Sequence, residues 1–107
     1  MKVDVFGEKW SVKFKKMVKD TDGTPVAGLC DHFKKELHIA TSYPEEMPER
    51  LIAYEISQTF YHELAHAIFY EYGMRDQSYW NPDVEHMVIS GLETVLAKNL
   101  PINIDFK

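Results

Sequence analysis

The sequence predicts a single α+β domain: a small antiparallel sheet of three or four strands, a long helix packed on it, and a second long helix near the C-terminus. Apolar and polar residues alternate in the first third of the chain, which is the period of half-buried strands. Residues 49–72 contain neither glycine nor proline, and an Asn-Pro pair at 81–82 is typical of a helix start. A chain of 107 residues suits one domain over residues 1–107.

Composition narrows the class of protein. Hydrophobic residues make up 45% and charged residues 27% of the chain, which is typical of a folded globular domain. The net charge of −5 argues against nucleic-acid or membrane binding. Apolar runs such as residues 51–54 are too short to cross a bilayer. An early acid and a single Cys30 favour a soluble cytoplasmic protein in a reducing compartment.

Four strands are expected before the first helix. Val3 and Val5 begin one alternating pattern, and Trp10, Val12 and Phe14 continue a second one after a turn at residues 7–9. A dense cluster of turn residues follows at 20–25. Residues 28–33 and 36–40 then predict two more strands, with residues 33–36 as their hairpin.

Two long helices complete the predicted fold. The first covers residues 49–72 and ends at Gly73, a common helix stop. Its second half is apolar nearly all round, which is typical of a buried helix. The second opens with Asn81 as the cap and Pro82 in the first helical position. It runs to about residue 99, and Pro101 follows it.

The first helix contains the motif that carries chemistry, His62-Glu63-Leu64-Ala65-His66. Residues four apart lie about 40° apart around a helix and one turn apart in height, so both imidazoles can reach one metal ion. Two histidines, a carboxylate and an open position are typical of catalytic zinc. Glu63 would then act as the general base. The alternative is a histidine pair on a partly exposed helix edge, satisfied by water and neighbouring polar groups.

A catalytic zinc site needs a third protein ligand. The candidates are Asp76, Asp83, Glu85 and His86. The second helix has an apolar arc, here taken as its core-facing side, made of Val84, Val88, Ile89, Gly91, Leu92, Val95 and Leu96. Glu85 lies within this arc and His86 outside it, and a core-facing carboxylate needs a cation or several donors. We therefore predict Glu85 as the ligand. The alternative is an acid placed in the first helical turn by the helix dipole.

Other polar and aromatic residues have two interpretations each. Tyr79 and Trp80 lie between the helices, where they would contact a substrate or an oxyanion or simply cover a small core. Cys30, Asp31 and His32 suggest a second metal cluster, although a lone cysteine in a strand is more typical of a core position.

Several segments together resemble a known group of proteins. They are Leu-His-Ile-Ala at 37–40, the motif in its run at 59–68, and Val-Glu-His-Met-Val at 84–88. The chain resembles small phage-encoded metallopeptidase-like proteins and, more broadly, zincin peptidases of the HExxH type with a glutamate third ligand. A more distant similarity is to the ImmA/IrrE-type and SprT-type peptidases. In the ImmA/IrrE type a glutamate on the next helix completes the site, and that position is Glu85. The family's usual acidic pair is Val84-Glu85 here, so one acid is missing.

The resemblance implies a zincin-like, gluzincin-like fold with one zinc ion per chain, and the host cytoplasm as the location if the protein is phage-encoded. The expected function is a zinc metallopeptidase, a hydrolase acting on a peptide or protein substrate through Glu63, with no nucleic acid or membrane as partner. Substrate and oligomeric state are left open. Two alternatives remain, a zinc-stabilised binding or regulatory protein without turnover and a structural protein without metal.

Overall fold

Over the residues that the structure describes, the fold is α+β, with one four-stranded sheet, one two-stranded sheet and two long helices. The structure is a computed structural model and describes residues 1–102. The strands are β1 (Lys2–Val5), β2 (Glu8–Lys15), β3 (Val18–Lys19), β4 (Pro25–Val26), β5 (Gly28–Asp31) and β6 (Glu36–Ala40). The helices are α1 (Glu49–Tyr72), a single 3₁₀ turn (Met74–Asp76) and α2 (Pro82–Asn99).

The larger sheet is mixed, with strand order β1-β2-β6-β5. β1 pairs with β2, and β5 with β6, in antiparallel fashion. β2 and β6 run parallel, with Val12 opposite Leu37 and Phe14 opposite Ile39. The predicted all-antiparallel sheet was therefore wrong. After the small β3–β4 hairpin, β5 runs opposite to β2, so β6 again runs in the direction of β2. Alternation along a strand does not encode the direction of its neighbour.

The main core forms where α1 packs on the sheet. Trp10, Leu37 and Ile39 from the strands are fully buried, as is Ile56 of α1. The helix ends as predicted at Gly73, whose φ of 77° places it in the left-handed region. The expectation that the second half of α1 is buried all round was only partly right. The outer side of α1 is exposed, with Tyr72 66% accessible.

Helix α2 begins as predicted but faces a different way. The side chain of Asn81 accepts a hydrogen bond from the Val84 N–H at 2.9 Å, and Pro82 follows in the first turn. Most of the apolar arc predicted to face the core is exposed to solvent, except that Ile89 is buried and Leu96 half-buried. Glu85, which was expected on the core-facing side, is buried. The helix is thus rotated by roughly a quarter turn, or about 100°, from the expected orientation.

Within residues 1–102, neither helix combines the length and the apolar character that crossing a membrane requires.

Candidate metal centre

The two histidines of the motif point their Nε2 atoms at each other. His62 Nε2 and His66 Nε2 lie 3.2 Å apart. Two nitrogens that bind one tetrahedral zinc ion at 2.0–2.1 Å are about 3.3 Å apart by simple geometry. The helix therefore holds the pair at the spacing that one metal ion requires.

A carboxylate from α2 contacts the other nitrogen of each ring. The His62 Nδ1 atom lies 2.6 Å from Glu93 Oε2, and the His66 Nδ1 atom lies 2.5 Å from Glu85 Oε2. Carboxylates accept hydrogen bonds, so they favour the tautomer with the proton on Nδ1 and a lone pair on Nε2. With both rings in this tautomer, two lone pairs would face each other at 3.2 Å, an arrangement that needs a metal ion or a shared proton between them.

A third histidine completes the group. His86 of α2 has its ring centroid 5.0 Å from that of His66 and 5.8 Å from that of His62. The ligand nitrogens of the three residues all lie within 4.8 Å of one another. His62, His66 and His86 are therefore close enough together to bind a metal ion. His86 was predicted to lie outside the core-facing side of α2. It joins the other two histidines because α2 is rotated from the expected orientation.

Glu85 is held by several donors. The Arg75 guanidinium donates from Nε to Oε1 at 3.0 Å and from Nη2 to Oε2 at 2.8 Å. The Trp80 indole donates to Oε1 at 2.9 Å. Burial alone would raise the pKa of Glu85, but the hydrogen bonds from Arg75, Trp80 and His66 outweigh it and lower the pKa to about 2. The carboxylate is thus ionised and fully partnered.

This placement differs from the expected one. The Glu85 carboxylate contacts His66 at Nδ1, and the group of residues close enough to hold one metal ion consists of the three histidines without Glu85. Ligation by Glu85 stays a prediction, and it would require the carboxylate to leave Arg75 and Trp80. The sequence argument correctly expected a cation or several donors around a buried acid at this position.

Glu63 lies beside the histidines with no donor of its own. It is 7% exposed, and none of the described residues donates a hydrogen bond to its carboxylate. Burial, reinforced by the charge of Glu93, raises its pKa to about 7 despite the attraction of His62. Its side chain borders two cavities, one of about 400 Å³ and one of about 310 Å³. A buried carboxylate that borders a cavity can exchange a proton with a molecule bound in that cavity.

The loop aromatics and Cys30 have more limited roles. Trp80 uses its only donor on Glu85, so an oxyanion contact from this indole has no support, and Tyr79 is 63% exposed. Burial and the charge of Glu63 raise the pKa of Cys30 to about 12. Cys30 is therefore a neutral thiol, and among the described residues the cluster close enough to hold a metal ion does not include it.

Several residues of the site were missed in the sequence. Glu93, Arg75 and Gly28 are not among the residues that the sequence predicted for the site. A signal for Glu93 was present, because Glu85 and Glu93 are eight residues apart and therefore share one face of a helix. That face meets α1 where His66 and His62 present their rings.

Comparisons of this chain with protein-family models, with curated proteins and with solved structures find no match. The resemblance to phage metallopeptidases stays a prediction, and the function has to be argued from the site itself.

Proposed function

We propose that this protein is a zinc-dependent hydrolase of peptide bonds with a zincin-like site. In this proposal His62, His66 and His86 bind the metal and Glu63 is the general base. One observation carries the proposal: the two Nε2 atoms of the motif face each other at 3.2 Å while a carboxylate holds each Nδ1. Histidines oriented by carboxylates in this way are typical of zinc sites.

Three imidazole ligands would suit zinc and would leave one coordination position open for a water molecule or a substrate. Imidazole nitrogen is a preferred ligand of zinc, and three protein ligands leave the fourth tetrahedral position open, as in catalytic sites. When bound, zinc supplies Lewis acidity, which polarises a carbonyl group and acidifies a water molecule.

Glu63 supplies the proton transfer. Its carboxylate has no hydrogen-bond donor among the described residues and borders open space next to His62. A group with a pKa of about 7 can accept a proton from an attacking water and return it to the leaving amine at neutral pH. The strand β5 is an edge strand of the sheet and packs against α1, so an extended peptide has a backbone to lie along.

A second candidate function is a zinc-stabilised binding protein without turnover. Its support is that the three histidines come from two helices, so a metal ion would connect α1 to α2. Only Ile89 and Ala97 of the apolar residues in α2 are fully buried, so this helix gains much of its attachment from polar contacts. A metal would add to that attachment whether or not the protein hydrolyses anything.

The first test is metal content and turnover together. Elemental analysis of the purified protein should find one zinc per chain, and changing both His62 and His66 to alanine should abolish it. Glu63→Gln should keep zinc and reduce the cleavage of a peptide library by about 10²–10⁴-fold, the usual cost of losing a general base.

The outcomes separate the candidates. Wild-type protein without zinc after zinc addition would exclude both metal functions. Zinc binding at full stoichiometry with no difference between wild type and Glu63→Gln on any peptide would leave the binding protein as the function. Loss of zinc in Glu63→Gln would show that this residue is a ligand and that its role as a base is wrong.

A further inference from the structure

The outward side of α2 carries a continuous apolar surface. Val84, Val88 and Leu92 are 38%, 40% and 48% exposed, and Met87 and Val95 are 70% and 57% exposed. These spacings of three, four and eight residues place all five on one side of the helix over three turns. Single exposed apolar residues are ordinary, whereas a contiguous row marks an interaction surface. We call these five residues, together with Gly91, the outer stripe.

Gly91 is a second feature of this surface, and it would allow another helix to approach α2 closely. It lies near the middle of α2, which spans Pro82–Asn99, and a Cβ added to it would meet nothing within 4 Å. Glycine inside a helix is less stable than alanine, and packing among the described residues gives no reason for it. A glycine on an exposed apolar stripe lets the backbone of a second helix approach closely.

We propose that α2 pairs with α2 of a second copy of this chain, antiparallel, about a two-fold axis at Gly91. Such an axis brings together residues that are equally distant from Gly91 in opposite directions. Met87 of one copy then meets Val95 of the other, because each is four residues from the axis. The axis therefore places the Met87–Val95 contact twice in the dimer, once on each side of Gly91.

The charges at the two ends of α2 fit the same pairing. Asp83 lies eight residues before Gly91 and Lys98 lies seven after it, both on the same flank of the stripe. In an antiparallel pair Asp83 of one copy comes beside Lys98 of the other, twice per dimer. Within residues 1–102, neither residue forms a salt bridge, so both charges are available for this contact.

The size of the stripe sets the strength of the pairing. Two helices of this length that pack along one face bury about 1,000 Å² in total, the lower end for specific protein interfaces. The dimer should therefore be weak and form in the micromolar range. His86 lies on the opposite side of α2 from the stripe, so pairing leaves the histidine cluster open and does not depend on its function.

The test is self-association of the full chain by sedimentation equilibrium, from about 5 to about 500 µM. Wild type should convert from monomer to dimer over this range. Val88→Glu should weaken the dimer at least about tenfold. The control is Phe6→Glu, which charges another exposed apolar side chain, 64% accessible, outside α2 and should leave the dimer unchanged.

Two further sets of variants distinguish a specific two-fold pairing from nonspecific hydrophobic association. Gly91→Leu adds apolar surface, so nonspecific association would strengthen, whereas close pairing at Gly91 would weaken. Asp83→Lys and Lys98→Asp should each weaken the dimer, and the double variant should restore it. Circular dichroism confirms that each variant is folded.

A monomer at every concentration would overturn the proposal. The proposal would also be overturned if Val88→Glu left the dimer affinity unchanged or if Gly91→Leu increased it. It would be overturned as well if combining Asp83→Lys with Lys98→Asp failed to restore the dimer affinity. If Val88→Glu failed to fold, the single and double variants of Asp83 and Lys98 would test the proposal by themselves.

Discussion

Replacing Gly28 with alanine should disturb the candidate site through the backbone of β5. A Cβ at this position would lie 2.6 Å from Thr59 Cγ2, and 2.9 Å from both Cγ and Oε2 of Glu63. Carbon atoms in contact prefer about 3.5–4.0 Å, so the overlap with Thr59 is about 1 Å. Because Thr59 and Glu63 are part of helix α1, either β5 moves away from the helix or Glu63 changes rotamer.

The magnitude follows from this overlap. Inserting a methyl group into a packed region costs about 1–3 kcal/mol, and each kcal/mol lowers the Tm by about 4–6 °C in a domain of this size. Zinc binding should survive, since the three atoms nearest to the new methyl group belong to Thr59 and Glu63 and not to a histidine. Hydrolysis should fall by about tenfold or more, because an error of about 1 Å in the position of a general base is costly.

The assay combines thermal unfolding, zinc content and peptide cleavage on the same preparations. The control is Gly91→Ala, whose added methyl meets nothing within 4 Å. It should raise the stability of the monomer by up to about 1 kcal/mol and leave hydrolysis unchanged at low micromolar concentration. A Gly28→Ala protein with wild-type Tm and wild-type activity would refute the reasoning that β5 and α1 touch closely at this point.

Three further predictions concern the ligands, their orientation and the sheet. His86→Ala should weaken zinc by orders of magnitude in a chelator competition, whereas normal affinity in this variant would return the third-ligand role to another residue. Glu93→Gln should weaken zinc by about 10–100-fold, as expected for a residue that orients a ligand; an unchanged affinity would mean that the contact with His62 has no effect. The pKa of Glu36 is lowered to about 2 by hydrogen bonds from Lys13 and His38, so its stabilising effect is complete above about pH 4.5 and is lost as the pH falls towards 2. Urea unfolding should therefore show Glu36→Gln as less stable than wild type at neutral pH, with a difference that shrinks between pH 4.5 and 2; a constant difference would contradict the ion pair.

The sequence by itself determined the local elements. Helix α1 stops at Gly73 because that residue adopts a left-handed conformation, and α2 starts at Asn81 because its side chain accepts a backbone hydrogen bond. The closeness of His62 and His66 also follows from the sequence, since residues four apart on a helix are neighbours whatever the rest of the chain does. These features depend only on short-range geometry.

The tertiary structure decided which groups meet across elements. Alternation along β2 and β6 shows which side chains share a face, but it is the same for parallel and antiparallel pairs. The periodicity of α2 likewise identifies an apolar side of the helix, but it does not determine which part of the protein, if any, packs against that side. Burying that side would have required Glu93 to face solvent, away from His62.

In the structure α2 instead turns its acids inward, where Glu85 meets Arg75, Trp80 and His66 and Glu93 meets His62. Buried carboxylates are stable only with such partners, and those partners come from α1 and from the loop before α2. The rotation that satisfies them also brings His86 to the other two histidines and leaves the apolar stripe outside. A single helix pattern cannot encode that choice, because it depends on which charges the neighbouring elements present.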